Sequence, residues 1–252
     1  MPRYLGQHFL LDKDILQAIV ESISGMIKKH DIDVLREIWP GQGALTKHIY
    51  KLASDFRCYE KDETMKKYLG QFLQWEDIIW WDVLQWEIKY TKPTIVVGNL
   101  PYYITSPIFR KFFAEDISPV WGVFLIQKEV AEKIMTWAKK KSYLRWLLNN
   151  RYSVEYLCKV PPEAFDPPPK VDSVVISFHR REASVCSSGQ YENMLLILDT
   201  ISGYKRKTLG KIQKICQKNW KDIHIPKIYH GMRLEELGWE EMKDIVEINY
   251  ER

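Results

Sequence analysis

Thr94-Ile95-Val96-Val97-Gly98-Asn99-Leu100-Pro101-Tyr102-Tyr103 joins an apolar, β-branched run to a polar and aromatic break. Such a run reads as a buried strand of a parallel sheet, and open α/β sheets bind ligands where strands of this kind end. Asn99 offers a side-chain carbonyl acceptor. Pro101 lacks an N–H and holds Leu100 extended, leaving backbone carbonyls free to accept, and Tyr102 supplies a flat face. Acceptors beside an aromatic plane suit a planar ring with an exocyclic amine, such as adenine. The plain alternative is a strand end followed by a proline turn.

Upstream, Val34-Leu35-Arg36-Glu37-Ile38 reads as the first strand, Trp39-Pro40-Gly41-Gln42-Gly43 as a tight turn and Ala44 to Ala53 as a helix. That arrangement brings backbone N–H groups against a nucleotide-like ligand. Phe56-Arg57-Cys58-Tyr59-Glu60 reads as the next strand. Its terminal carboxylate, 23 residues after Glu37, can accept both hydroxyls of a ribose. A helix from Glu63 to Phe72 leads to a third strand, Asp77 to Trp81. Asp82 at its end can accept from the 6-amino group of an adenine, or merely cap a turn. Four successive strands thus deliver a polar or Gly-rich element to the end where an α/β sheet binds its ligand. A doubly wound α/β sheet is expected.

Before the first strand, Gly6-Gln7-His8-Phe9-Leu10-Leu11 precedes a helical pattern (Ile15, Ile19, Ile23) opened by Asp12 or Asp14, and can fold over a ligand or staple that helix. After the break come a helix Ile108 to Phe113 headed by Thr105-Ser106-Pro107, and a fifth strand, Trp121 to Gln127. Helical segments follow from Lys128 to about Lys140 and from Ser142 to about Arg151. Strands Val154–Val160 and Ser173–Phe178 flank a stiff, Pro-rich run, Pro161 to Lys170. It presents Phe165, which can stack on a base or pack in a core.

Residues from about 182 to 189 look like a linker, and the remainder reads as helices. One carries Lys207, Lys211, Lys214, Lys218 and Lys221, within roughly 80° of arc, opposite Leu209, Ile212, Cys216 and Trp220. Lys205 and Arg206 precede it. A single-sign stripe favours phosphate contacts over a solvated face, which normally mixes signs.

The 252 residues are 46% hydrophobic, enough for a proper core in one large domain or a core with an appendage. No apolar stretch approaches membrane-spanning length, and Met1 to Gln7 lacks a signal-peptide profile, so a cytoplasmic protein is expected. Cys58, Cys158, Cys186 and Cys216 form no CxxC pair and indicate neither zinc nor disulfides. A net charge of +4 alone does not argue for nucleic acid.

Together these motifs resemble the ribosomal RNA adenine dimethyltransferases over nearly the whole chain. The resemblance is carried by Gln7-His8-Phe9-Leu10, Glu37-Ile38-x-Pro40-Gly41-x-Gly43-Ala44-Leu45-Thr46, Asn99-Leu100-Pro101-Tyr102, Gln127-Lys128-Glu129-Val130-Ala131 and Phe165-x-Pro167-x-Pro169-Lys170-Val171-Asp172-Ser173. Arg206-Lys207-Thr208-Leu209 and Arg233-x-Glu235-Glu236-Leu237 look like that family's C-terminal helical domain. It implies a Rossmann-like methyltransferase domain (1–182) and a small all-helical RNA-binding domain (190–252). The implied activity moves methyl groups from S-adenosylmethionine to N6 of two neighbouring adenosines near the 3′ end of small-subunit rRNA, during ribosome assembly. The resemblance further implies that His8, Leu10, Trp39, Gly41, Glu60, Asp82 and Asn99 line the cofactor site. Asn99, Leu100, Pro101 and Tyr102 would hold the target adenine and Phe165 stack on it. No metal is expected, and the protein is expected to act as a monomer. A related subfamily methylates large-subunit rRNA and confers antibiotic resistance; Gln127 to Val130 and Asn99 to Tyr102 look more like the small-subunit group.

Position 39 departs from the pattern, being Trp where the family's turn has Gly, and Trp81 stands where Gly is frequent. A bulky indole in a turn that should let the backbone approach a cofactor can fill the pocket. Three explanations compete. The protein is a non-catalytic rRNA-binding assembly factor, or the loop has rearranged so that the indole packs beside the ligand, or UGA codons meaning Gly have been read as Trp. A lesser departure is Ser142-Tyr143-Leu144-Arg145-Trp146, where the family usually has Tyr-Gly and a small residue.

Overall fold

The computed structural model describes residues 8–85, 91–113, 119–135, 143–204, 206–219 and 223–250; Gln7, Lys205, Trp220 and Lys221 lie outside them. In chain order the elements are β1 (Phe9–Leu10), α1 (Lys13–His30), β2 (Val34–Ile38), α2 (Thr46–Ile49), β3 (Asp55–Glu60), α3 (Lys66–Leu69), β4 (Ile78–Trp80), β5 (Thr94–Asn99), α4 (Thr105–Phe113) and β6 (Trp121–Gln127). There follow α5 (Lys128–Ile134), α6 (Tyr143–Asn149), β7 (Tyr152–Val160), β8 (Phe165–Asp166), β9 (Ser173–Arg180), α7 (Ser188–Ile201), α8 (Leu209–Lys218) and α9 (Trp239–Tyr250). Packing divides the chain into two compact units, Met1–Ala131 with Ser153–Arg180, and Glu132–Tyr152 with Arg181–Arg252.

The first unit is built on a seven-stranded sheet of order β4-β3-β2-β5-β6-β9-β7. Strands β2 to β6 pair in parallel and β9 runs antiparallel to β6. Parallel strands covered on both faces must be apolar throughout, and Ile95, Val96 and Val97 are fully buried. The chain leaves β2 on one side for β3 and β4, and returns on the other for β5 and β6. The strand order therefore reverses between β2 and β5, which opens a crevice at their carboxyl ends. Helix α1 covers one face. Asp12 Oδ1 accepts from the Asp14 and Ile15 N–H groups to cap it, and Leu16, Ile19, Ile23 and Met26 form its buried stripe.

Two expected helices are shorter than their patterns suggest. Ala44 to Ala53 yields only α2, because i→i+3 turns flank it (His48 N–H to Leu45 C=O, Leu52 N–H to Ile49 C=O). Glu63 to Phe72 opens with a 3₁₀ turn at Glu63–Met65, and α3 ends at Gly70. The third strand is confined to Ile78–Trp80, since a 3₁₀ turn capped through Asp77 occupies Trp75–Asp77.

The second unit is helical. All of Leu144 to Asn149 in α6 is buried, as expected of a helix that is apolar on nearly every side. Its Trp146 meets Trp239 edge-on at 4.9 Å, and the Tyr191 hydroxyl donates to the Leu147 carbonyl at 3.0 Å. A linear reading assigns this helix to the preceding domain; packing groups it with the C-terminal helices. Helix α7 opens with a Ser187/Gln190 capping box. No helix among the described residues is long and apolar enough to cross a membrane.

Candidate active site

Side chains alternate along a strand, so Glu37 shares a sheet face with Leu35, Glu60 with Cys58, and Asn99 with Val97. The register sets Glu37 beside Cys58 and Val97, and Asn99 beside Leu125. These polar groups open on a cavity in the first unit, at the carboxyl ends of β2, β3 and β5. Leu16 and Ile19 of α1, Val123 and Leu125 of β6, and His8 to Leu10 complete its wall.

The turn after β2 brings the backbone to the cavity. Trp39, Gly41 and Gly43 all have positive φ, at 56°, 56° and 80°. Glycine takes that region freely and a tryptophan does not, so the turn at position 39 has kept the conformation of the glycine-type loop. The indole is 8% exposed and lines the cavity, with Lys61 Nζ 5.4 Å from its ring centroid. Gly98 is needed for close approach, because a Cβ there would lie 2.6 Å from the Ile38 carbonyl oxygen.

Glu60 is buried. Its Oε2 accepts from the Gly41 N–H (3.1 Å) and its Oε1 from the Lys61 and Asp62 N–H groups (2.9 Å each). Burial pushes it up to about 7; those backbone donors oppose the rise and Asp62 adds to it. Glu37 is 2% exposed, and its Oε2 has no hydrogen-bond partner among the described residues. Burial pushes it up to about 8, the Thr46 hydroxyl opposes this without forming a well-shaped hydrogen bond, and Glu60 adds to it. Sequence reasoning did not place Glu37 in the site. Its signal is a carboxylate one residue from the end of a strand that runs into a glycine-containing turn.

Asn99 Nδ2 donates to the His8 carbonyl at 3.0 Å, and its Oδ1 has no hydrogen bond among the described residues. The Pro101 carbonyl, expected to be free, accepts from Ile104 N–H in a turn; no backbone donor reaches the Leu100 carbonyl among the described residues. Tyr102 is pinned by its hydroxyl to Ser173 Oγ at 2.7 Å, and the His8 ring stacks on it at 5.7 Å and 26°. His8 Nδ1 is 2.6 Å from the Pro167 carbonyl oxygen.

Two expected members stand apart from the cavity wall. Phe165 is 4% exposed and belongs to the apolar core, because β8 pairs antiparallel with β1 and turns its ring inward, edge-on to His8 at 6.5 Å. It is packed rather than presented. Asp82 caps a turn, its Oδ1 accepting from Leu84 N–H at 3.0 Å, while Oδ2 lies 3.9 Å from Lys61 Nζ. In the second unit, α8 buries Leu209, Ile212 and Cys216 and exposes Lys211, Lys214 and Lys218, with Arg206 and Lys207 exposed just before it.

The wall suits a cationic nucleoside such as S-adenosylmethionine. It offers an orphaned carboxylate oxygen on Glu37, a second acid on Glu60 and a glycine-tight backbone, with His8 as its sole basic side chain among the described residues. No group of three or more metal-ligating side chains occurs among the described residues.

Residues 2–250 match the family described as ribosomal RNA adenine dimethylase. The chain is 36% identical over 245 residues to ribosomal RNA small subunit methyltransferase A of Francisella tularensis, covering 93% of this chain and 92% of that protein. A probable protein of the same name from Methanococcus maripaludis is 36% identical over 183 residues, 71% of this chain and 67% of the relative. In fold, the chain is similar to a dimethyladenosine transferase from Plasmodium falciparum (TM-score 0.72, 22% identity, 94% of this chain and 96% of that one). It is also similar to the 23S rRNA methyltransferase ErmE (TM-score 0.66, 21% identity, 97% and 100%).

Proposed function

Because the chain belongs to the ribosomal RNA adenine dimethylase family, a family of S-adenosylmethionine-dependent enzymes, we propose that it methylates N6 of two adjacent adenosines near the 3′ end of small-subunit rRNA during ribosome assembly. The observation that carries this reading is the convergence of Glu37, Glu60, Asn99 and the Gly41 backbone on one cavity at the sheet's switch point.

Bound S-adenosylmethionine supplies an activated methyl group on a sulfonium. His8, Leu10, the backbone at Trp39 and Gly41, Glu60 and Asn99 would hold the donor, with Glu60 taking the ribose hydroxyls and Asp82, beyond the described cavity wall, the adenine amino group. Adenine N6 is a poor nucleophile because its lone pair is delocalised into the ring. The Asn99 side-chain oxygen and the Leu100 carbonyl accept its two hydrogens, favouring a pyramidal nitrogen aimed at the methyl carbon. Alignment and local electrostatics then supply the catalysis. The substrate base must leave its stack, at a cost of a few kcal/mol that contact with the pinned Tyr102 ring, backed by His8, offsets in part. Residues 190–252, with Arg206, Lys207, Lys211, Lys214 and Lys218, form the RNA-binding domain, and Lys205 and Lys221 join them in this reading. The protein works as a monomer.

Incubation with unmodified small ribosomal subunits and labelled donor, followed by mapping of the product nucleotide, tests the reading. Label on two neighbouring adenosines near the 3′ end is expected; label elsewhere in that rRNA, or none while a parallel incubation with large subunits is labelled, overturns it. Trp39 on the cavity wall favours a second reading, a non-catalytic rRNA-binding assembly factor. Calorimetry with S-adenosylmethionine separates the two, since absent donor binding with intact rRNA binding leaves only the second.

A further inference from the structure

Glu37 has a place in the cavity that no ordinary structural role explains. It lies on a central strand and on the cavity wall, with one carboxyl oxygen buried and unpaired among the described residues. A structural acid buried this deeply is normally satisfied by hydrogen bonds or a cation. On β3 stand Glu60 and Cys58, on α2 the Thr46 hydroxyl, on β5 Val97 and Asn99, on α1 Leu16 and Ile19, and in the amino-terminal segment His8. Lys61 lies over the Trp39 ring and pairs with Asp82. Glu60 differs from Glu37 in being satisfied already, by three backbone N–H groups.

Resting on the donor-site reading above, we propose that Glu37 is the residue by which the cavity tells the sulfonium donor from its thioether product, by ionising only when a positive charge enters. In the free protein Glu37 keeps its proton up to about pH 8, because burial and the neighbouring Glu60 both disfavour a second negative charge. With a sulfonium in the cavity, Glu37 releases that proton to solvent and its unpaired oxygen gains a cationic partner. Once the methyl group has moved to the base, the sulfur is neutral and Glu37 takes a proton back from solvent. No bond other than the carboxyl O–H is made or broken in the protein. The acid thus holds the donor and loosens its grip on the product.

Calorimetric titration of the intact protein with S-adenosylmethionine and with S-adenosylhomocysteine, between about pH 6 and pH 8 and in two buffers of different ionisation heat, counts the protons released. Donor binding is expected to release close to one proton near neutral pH and to tighten by up to about tenfold per pH unit, while product binding stays nearly flat. Glu37→Gln should remove most of that slope and lower the donor-over-product preference about tenfold, with an unchanged melting temperature near pH 6. The wild-type proton count decides even if the variant fails to fold. A pH-independent donor affinity with no proton release, or a folded Glu37→Gln protein that keeps the slope, overturns the proposal and leaves the donor site standing. Failure of both ligands to bind overturns the donor site itself, and this proposal with it.

Discussion

Substituting Trp39 with Gly and, separately, with Ala turns one backbone angle into a measurable sign. Both changes delete an indole that is 8% exposed, and truncating a buried Trp costs about 3–5 kcal/mol. They differ in the Cβ. At φ 56° an Ala keeps a left-handed strain of about 1–2 kcal/mol, whereas Gly has none. Against this, Gly loses about 0.5–1 kcal/mol of extra chain entropy on folding. Trp39→Gly should therefore be the more stable variant, by up to about 1.5 kcal/mol, where at an ordinary helix or strand position Ala leads. In a chain of this size each kcal/mol of that margin moves the melting temperature by about 2–4 °C. Urea unfolding with matched m-values resolves it, and the m-values check that the unfolded state has not changed. An Ala variant as stable as the Gly variant, or more so, would refute the claim that the fold at position 39 calls for glycine. The same proteins test the cavity. Both should bind S-adenosylmethionine at least as tightly as the parent, because each removes the indole from the wall. Weaker binding by both would make the indole part of the donor's seat.

Asn99→Ala should abolish methyl transfer while sparing donor binding far more, and near-normal turnover would exclude the acceptor role given to Asn99. Replacing Lys211, Lys214 and Lys218 together with Ala should weaken rRNA binding and cut the slope of log affinity against log salt by about 2 to 3; an unchanged slope returns α8 to a solvated face. Glu37 also predicts a stability trend in the free protein. Its acidity is raised from an ordinary 4.5 to about 8 on folding, so between those values the folded state holds a proton that the unfolded state has lost. Glu37 then contributes a fall in stability as pH rises, of up to about 1.4 kcal/mol per unit, which Glu37→Gln should remove, leaving the contribution of Glu60 below about pH 7. An equal gap between parent and variant at about pH 5.5 and pH 7.5 would show that Glu37 titrates normally.

Much of the sheet was legible from residues alone. Val34–Ile38 ends at the Trp39-Pro40-Gly41 turn, and Trp121–Gln127 ends on the first polar residue after its apolar run, because a buried parallel strand is largely apolar and turn chemistry stops it. The lysine face of α8 was legible for a similar reason: a 3.6-residue period segregates Leu209, Ile212 and Cys216 from Lys211, Lys214 and Lys218 whatever else surrounds them. The short helices were less legible. The i→i+3 turns around α2 and the 3₁₀ turn before α3 depend on how the flanking loops are tied down.

Local pattern thus determined the elements, their order and the polar groups at the strand ends, since side-chain period and turn chemistry act over a few residues. Tertiary structure alone decided which of those groups meet. Pairing of β1 with β8 packs Phe165 inward and sets His8 against Tyr102. The β2–β3 register brings Glu37 beside Cys58 and near Glu60, and packing assigns α6 to the helical unit. Each of these is a contact between residues far apart in the chain, whose free energy depends on burial and register that no short window of sequence contains.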